Sequence, residues 1–123
     1  MTKRVLDVGN CVPDHSSIRR LVEDNFDAKV VQAHGPEDAL AKLSKGGIDL
    51  VLVNRKLDRD YSDGLEIIKQ IKQSAELAAV PCMLITNYTE HQDQAVQAGA
   101  ERGFGKLELD QPETQDRLKR FLG

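Results

Sequence analysis

The sequence predicts a doubly wound α/β domain, a five-stranded parallel sheet of order 2-1-3-4-5 with five helices on its two faces, three layers in all. Three observations predict it. Short apolar runs and amphipathic stretches alternate five times along the chain, the pattern of successive strand–helix units. The run Ile48-Asp49-Leu50-Val51-Leu52-Val53 is almost continuous in Val, Leu and Ile, as a strand covered on both faces requires. It stops abruptly at Asn54, after which Arg55–Gly64 is too polar to continue a strand. Right-handed crossovers leave few strand orders, and this one sets strands one and three side by side at its switch point. The ends Gly9-Asn10 and Asn54 then become neighbours, where ligand and reaction sites of open α/β sheets lie.

The elements follow in order. Arg4–Val8 reads as the first strand, unusual for the Asp7 inside it, and Gly9-Asn10-Cys11-Val12-Pro13 as a turn. Asp14, Ser16 or Ser17 is the expected cap of a helix carrying Ile18, Leu21, Val22 and Phe26 at helical spacing. Ala28–Ala33 is the second strand; Pro36 opens a second helix with Ala39, Leu40 and Leu43 inward, closed by Gly46-Gly47 before the central strand. Ser62 or Asp63 caps a third helix, Gly64–Gln73, with Leu65, Ile68 and Ile71 as its core stripe. Pro81–Thr86 is a fourth strand ending on a hydroxyl, and Thr89-Glu90 starts a weak fourth helix that Gly99 ends. A short fifth strand lies within Glu101–Lys106, and Pro112 opens a last helix with Leu118, Phe121 and Leu122 on one face.

Composition excludes several functions. The chain has 123 residues, 40% hydrophobic and 30% charged, as expected of one soluble globular domain. A net charge of −3 does not provide the basic footprint of direct nucleic-acid binding. No apolar stretch has the length of a membrane span, and no apolar signal region follows Met1–Arg4, so a cytoplasmic location is expected. Cys11 and Cys82 lie in no metal or disulfide spacing. Gly103-Phe104-Gly105-Lys106 fails the phosphate-loop pattern, with Ala100 in place of the first Gly and Leu107 in place of the Ser/Thr. Neither a nucleophile-elbow Ser nor a dinucleotide fingerprint occurs, so enzymatic turnover is not expected.

Over essentially its whole length the chain resembles the receiver domain of bacterial response regulators, a flavodoxin-like fold. The matching pieces are Asp49–Val53 before Asn54, Asp63-Gly64-Leu65-Glu66, Pro81 through Thr86, the step Ala98-Gly99-Ala100, and Lys106 beyond it. The resemblance implies an acidic pair after the first strand and an aspartate after the third that hold magnesium. It implies that the same aspartate takes a phosphoryl group from a histidine kinase, and that a hydroxyl residue and a lysine contact the phosphoryl oxygens. Thr86 and Lys106 match the last two. The acidic pair maps onto Gly9 and Asn10, and the acceptor position onto Asn54.

These substitutions decide the expected chemistry. Phosphoryl transfer needs a nucleophilic oxygen in line with phosphorus and cations to neutralise the transferring group. The carboxamide of Asn54 is a poor nucleophile, and magnesium is usually held through carboxylates that Gly9, Asn10 and Asn54 lack. The expectation is therefore no magnesium, no cofactor and no phosphate at the usual position. Other departures agree: the loop after Asn54 is about two residues longer than is usual in the family, Leu107 replaces a common proline, and Gly103 stands where the switch aromatic belongs.

Asp7, Asp58 and Asp60 are candidate substitutes for the missing acids, with Asp14 and Asp63 nearby; loop solvation and helix capping are the competing readings for the loop acids. For Asp7 two readings stand. Gly9 leaves room for it to reach Asn10, Asn54 or Lys106 as a tether, or it meets a strand edge or water. Lys106 is expected to pair with Asp58 or reach solvent, Thr86 to bond backbone, and His15, His34 and His91 to be solvated. The expected function is a signalling module of a two-component phosphorelay that works by protein–protein contact, with a histidine kinase or an output domain as partner. The resemblance implies a contact face on the fourth helix, fifth strand and fifth helix, where Tyr88, His91, Gln94, Arg102 and Lys119 are candidates. The alternative is phosphorylation at Asp58 or Asp60. The pattern specifies no oligomeric state.

Overall fold

A computed structural model describes residues 2–123. The elements run β1 (Lys3–Val8), α1 (Val12–Asn25), β2 (Ala28–Ala33), α2 (Pro36–Ser44), β3 (Leu50–Asn54), α3 (Gly64–Gln73), β4 (Cys82–Ile85), α4 (Thr89–Gln97), β5 (Glu101–Phe104), a 3-10 turn at Lys106–Glu108, and α5 (Pro112–Leu122). All five strands are parallel, in the order β2-β1-β3-β4-β5. The predicted architecture and order are those observed.

Strand alternation explains how the layers close. Side chains of a strand point to opposite faces in turn. Leu50 and Leu52 of β3 join Val5, Met83, Ile85 and Phe104 in a core sealed by Ile18, Leu21 and Val22 of α1 and Leu118 and Leu122 of α5. Val51 and Val53 join Leu6, Val8 and Leu84 beneath Ala39, Leu43, Ile67, Ile68, Ile71 and Ala95 of α2, α3 and α4. Each large side chain so buried contributes about 1.5–3 kcal/mol over its exposed state. Asp7 and Gly9 share the parity of Val5, and Asn54 that of Leu52, so this series opens at the carboxyl end of the sheet on the α1 side.

One boundary differs from the expectation. Helix α1 begins at Val12 with Cys11 as its N-cap, and no side chain caps it. Asp14, Ser16 and Ser17 lie inside the helix, because Pro13 at its start has a backbone already suited to the first turn. Asp14 is thereby released for another partner. At α3 the expected cap forms, Asp63 Oδ1 accepting from the Leu65 amide at 3.0 Å.

Candidate functional site

The carboxyl ends of β1 and β3 meet as the topology requires. Gly9 has a positive φ of 78°, a conformation that glycine adopts at no steric cost. Its carbonyl accepts the Asp58 amide at 3.0 Å. It also accepts from Asn54 Nδ2 at 3.3 Å, and the same Nδ2 donates to the Lys56 carbonyl at 2.6 Å. Both polar hydrogens of the Asn54 amide are thus aimed at backbone oxygens. An amide satisfies that arrangement and a carboxylate, which offers lone pairs alone, does not.

Leu57 covers Gly9. Its side chain is buried, and a Cβ added at Gly9 would overlap Leu57 Cδ2 and lie 3.2 Å from Leu57 Cα. The lone aliphatic residue of the polar loop after β3 therefore fills the space in front of the first strand's end. The space that Gly9 frees serves Leu57, not Asp7, which corrects half of the tether reading.

Its other half stands. Asp7 is fully buried and accepts from Asn10 Nδ2 at 2.5 Å. It does not reach Asn54. Its second oxygen lies 2.6 Å from His15 Nδ1. Burial pushes the Asp7 carboxyl above the usual value, against the hydrogen bonds from His15 and Asn10 and the charges of His15 and Lys106. His15 is therefore not a solvated residue; it was missed because it lies eight positions from Asp7 in sequence, one helical turn into α1. Asn10 is itself buried, and its carbonyl accepts from Gln32 Nε2 at 3.2 Å.

The opposite wall is built from β4 and β5. Thr86 is buried, its Oγ1 accepting from the Tyr88 amide at 3.3 Å, the backbone bond expected of it, and lying 3.3 Å from His91 Nδ1. His91 is half-buried, edge-on to the Tyr88 ring. Lys106 Nζ pairs with Asp14 Oδ2 at 2.7 Å, rather than with Asp58 or solvent, because the early start of α1 brings Asp14 to the cleft. Cys11 Sγ donates to the same Asp14 oxygen at 3.1 Å. Partial burial opposes ionisation of Asp14, but the Lys106 ammonium and the Cys11 thiol hold its carboxyl below the usual value. Between the walls lies a cleft of about 340 Å³ lined by Asn54, Arg55, Lys56, Thr86, Tyr88, His91 and Lys106 among others, with no carboxylate in its lining.

The loop acids are spread out. Asp63 caps α3 and sits 3.6 Å from Arg55 Nη1, Asp60 Oδ1 accepts the Ser62 amide at 2.9 Å, and Asp58 keeps one buried oxygen without a partner. Among the described residues no three His, Cys, Asp or Glu side chains come close enough to hold a metal ion. Gly103, which the resemblance matches to the switch aromatic, is buried against Gln92, a side chain not singled out from the sequence. Gln92 Nε2 donates to the Leu84 carbonyl at 2.9 Å and the Thr86 carbonyl at 3.3 Å, while its Oε1 accepts the Gly103 amide at 2.8 Å. Gln92 stands one turn from Ala95 on the inward face of α4, and a polar residue in that stripe was the signal for it. On the α4–β5–α5 face, Tyr88, Gln94, Arg102 and Lys119 are exposed, and Arg102 Nη2 pairs with Asp93 at 2.5 Å.

The family model of the response regulator receiver domain matches residues 11–119. This chain is a response regulator receiver domain. Solved receivers share its fold at low identity. The chemotaxis protein CheY4 of Vibrio cholerae superposes with a TM-score of 0.78 at 22% identity, over 99% of this chain and 100% of that one. The receiver domain of the DNA-binding response regulator merR from Colwellia psychrerythraea gives 0.79 at 23%, over 96% of each chain. NtrX from Brucella abortus gives 0.75 at 23%, over 99% of this chain but 27% of its own. Receivers are signalling modules of two-component systems. Among the described residues no helix is long and apolar enough to cross a membrane.

Proposed function

We propose that this receiver signals through protein–protein contact without aspartyl phosphorylation at position 54. The observation that carries the proposal is the Asn54 amide, whose Nδ2 donates to the Gly9 and Lys56 carbonyls. That position acts as a tie between β1 and the loop after β3, not as a nucleophile. Magnesium does not fit the groups beside it. Gly9, Asn10 and Asn54 supply no carboxylate, Leu57 fills the space before Gly9, and the Asp7 carboxylate is engaged by Asn10 and His15. Thr86 and Lys106 keep the hydroxyl and ammonium that the family resemblance assigns to phosphoryl contact, but the ammonium is paired with Asp14. The partner classes that the resemblance implies are a histidine kinase or an output domain.

Incubation of the protein with magnesium and acetyl phosphate, followed by intact-mass measurement, tests the reading. No phosphoryl adduct is expected. A second reading rests on Asp58, which has a buried oxygen without a partner and an amide bonded to the Gly9 carbonyl. An adduct mapped to Asp58, or to the neighbouring Asp60, would establish it instead.

A further inference from the structure

The outer strands of the sheet, β2 and β5, each have one side with no neighbouring strand. In β2 the Ala33 carbonyl accepts the Gly9 amide on the β1 side, as the Asp27 carbonyl before it accepts the Lys3 amide. Strand groups alternate between the two sides, so Ala28, Val30 and Gln32 face outward. The Ala28 amide already donates to the Phe26 carbonyl. The Val30 amide, central among the three, donates to Glu23 Oε2 of α1 at 2.9 Å, and Arg19 Nε lies 3.3 Å from the other Glu23 oxygen. At the β5 edge Gln92 Oε1 accepts the Gly103 amide at 2.8 Å, and Arg117 Nη1 donates to the Gly103 carbonyl at 2.9 Å. That edge is closed on donor and acceptor alike. Among the described residues Glu23 is the one side chain bonded to a backbone group of β2.

Glu23 is out of place as a helix residue. It lies in the last turn of α1, where unpaired carbonyls favour a cation, and that turn carries no basic residue. The Val30 amide, foremost, and the Arg19 guanidinium hold its carboxyl below the usual value, against partial burial. The strand it covers supplies the reason. Ala28–Ala33 reads Ala-Lys-Val-Val-Gln-Ala, six residues with one charge, no Pro and no Gly. That is the composition of segments that stack on copies of themselves, and an open edge is a template for another strand. We propose that Glu23 guards the β2 edge, and that the strand it excludes is β2 of a second copy of this chain. The register follows from the outward groups. Two copies set antiparallel place Val30 opposite Val30 on the two-fold axis and Ala28 opposite Gln32, each facing pair exchanging both backbone bonds. The Glu23 carboxylate occupies the Val30 amide at that axis.

Sedimentation of the intact chain over a wide range of concentration, with amide hydrogen exchange as a second readout, tests the role of Glu23. Glu23→Ala removes the acceptor. Glu23→Asp keeps the charge but falls a methylene short of Val30, and it serves if the first variant fails to fold. Both should form dimers at concentrations where the wild type is a monomer. Exchange of the Gln32 amide should slow about tenfold or more in the dimer. Glu23→Gln still offers Val30 a carbonyl oxygen, and Arg19→Ala leaves the carboxylate in place, so each should stay a monomer. Folded Glu23→Ala or Glu23→Asp that remains a monomer would overturn the proposal. So would a dimer whose newly protected amides lie on the α4–β5–α5 face, Glu23→Gln dimerising as readily as Glu23→Ala, or a wild type already paired through Gln32.

Discussion

The two walls of the Asn54 cleft have different characters. On the β4–β5 wall, Thr86 and Lys106 stand at strand ends with side chains that a receiver resemblance leads one to expect, and Asn87 ties the two loops. On the β1–β3 wall, where the resemblance leads one to expect acids, stand Gly9, Asn10 and Asn54, and Leu57 fills the space before Gly9. Gly9 adopts a positive φ under Leu57, and Asn54 points its amide hydrogens at the Gly9 and Lys56 carbonyls. The difference teaches that the missing carboxylates are not independent deletions. Leu57 in place requires glycine beneath it, and Asn54 gives the Gly9 carbonyl a second donor beside the Asp58 amide. One wall keeps a hydroxyl and an ammonium facing the cleft, the ammonium paired with Asp14; the other is packed against itself.

The sharpest way to break this comparison is Gly9→Asp. A side chain at that positive φ, overlapping Leu57, should destabilise the protein by about 3 kcal/mol or more, read as a lowered urea midpoint. The double variant Gly9→Asp, Leu57→Ala should lose less than the sum of its single variants by about 1 kcal/mol or more, because the two sites touch. Additive losses would mean that Leu57 is not what excludes the acid. Asn54→Asp comes next. It turns two donated hydrogen bonds into lone pairs facing carbonyl oxygens, and about 1–3 kcal/mol of stability should go with them. Unchanged stability would show that the amide is not a tie.

The smallest effect belongs to the opposite wall. Asp14 is held below the usual carboxylate value by Lys106 and Cys11, and a carboxyl whose folded value is depressed contributes stability above its unfolded value that is lost as pH falls. The wild type should exceed Asp14→Asn by about a few tenths of a kcal/mol near neutrality, since the pair is partly solvated. That gap should close as pH drops through and below 3.8, the ordinary value. A gap that widened in acid would assign Asp14 another role.

The fold was readable from the sequence because long apolar strands and helical stripes are local signals, and a parallel sheet leaves few ways to join them. The vacancies at Gly9, Asn10 and Asn54 were readable as well, since they are identities at matched positions. What fills them was not. Leu57 shows in sequence only as a single aliphatic residue in a polar loop. His15 meets Asp7 across a turn and a helix, and Lys106 meets Asp14 only because Pro13 moves the start of α1 forward. Contacts made by packing rather than by spacing leave no period to detect. Gln92 falls between the cases, a polar residue on an apolar helix face whose three hydrogen bonds go to backbone atoms of β4, β5 and the loop between β4 and α4.

The most direct test of the central claim is a magnesium titration of Asn54→Asp followed by amide chemical shifts. Restoring the acid alone should produce no saturable shifts at Gly9, Asn10 or residue 54, because Leu57 still occupies the space in front of Gly9. Saturable binding centred on those residues would show that only a carboxylate was missing, and that the packed wall described above is not what keeps the cation out.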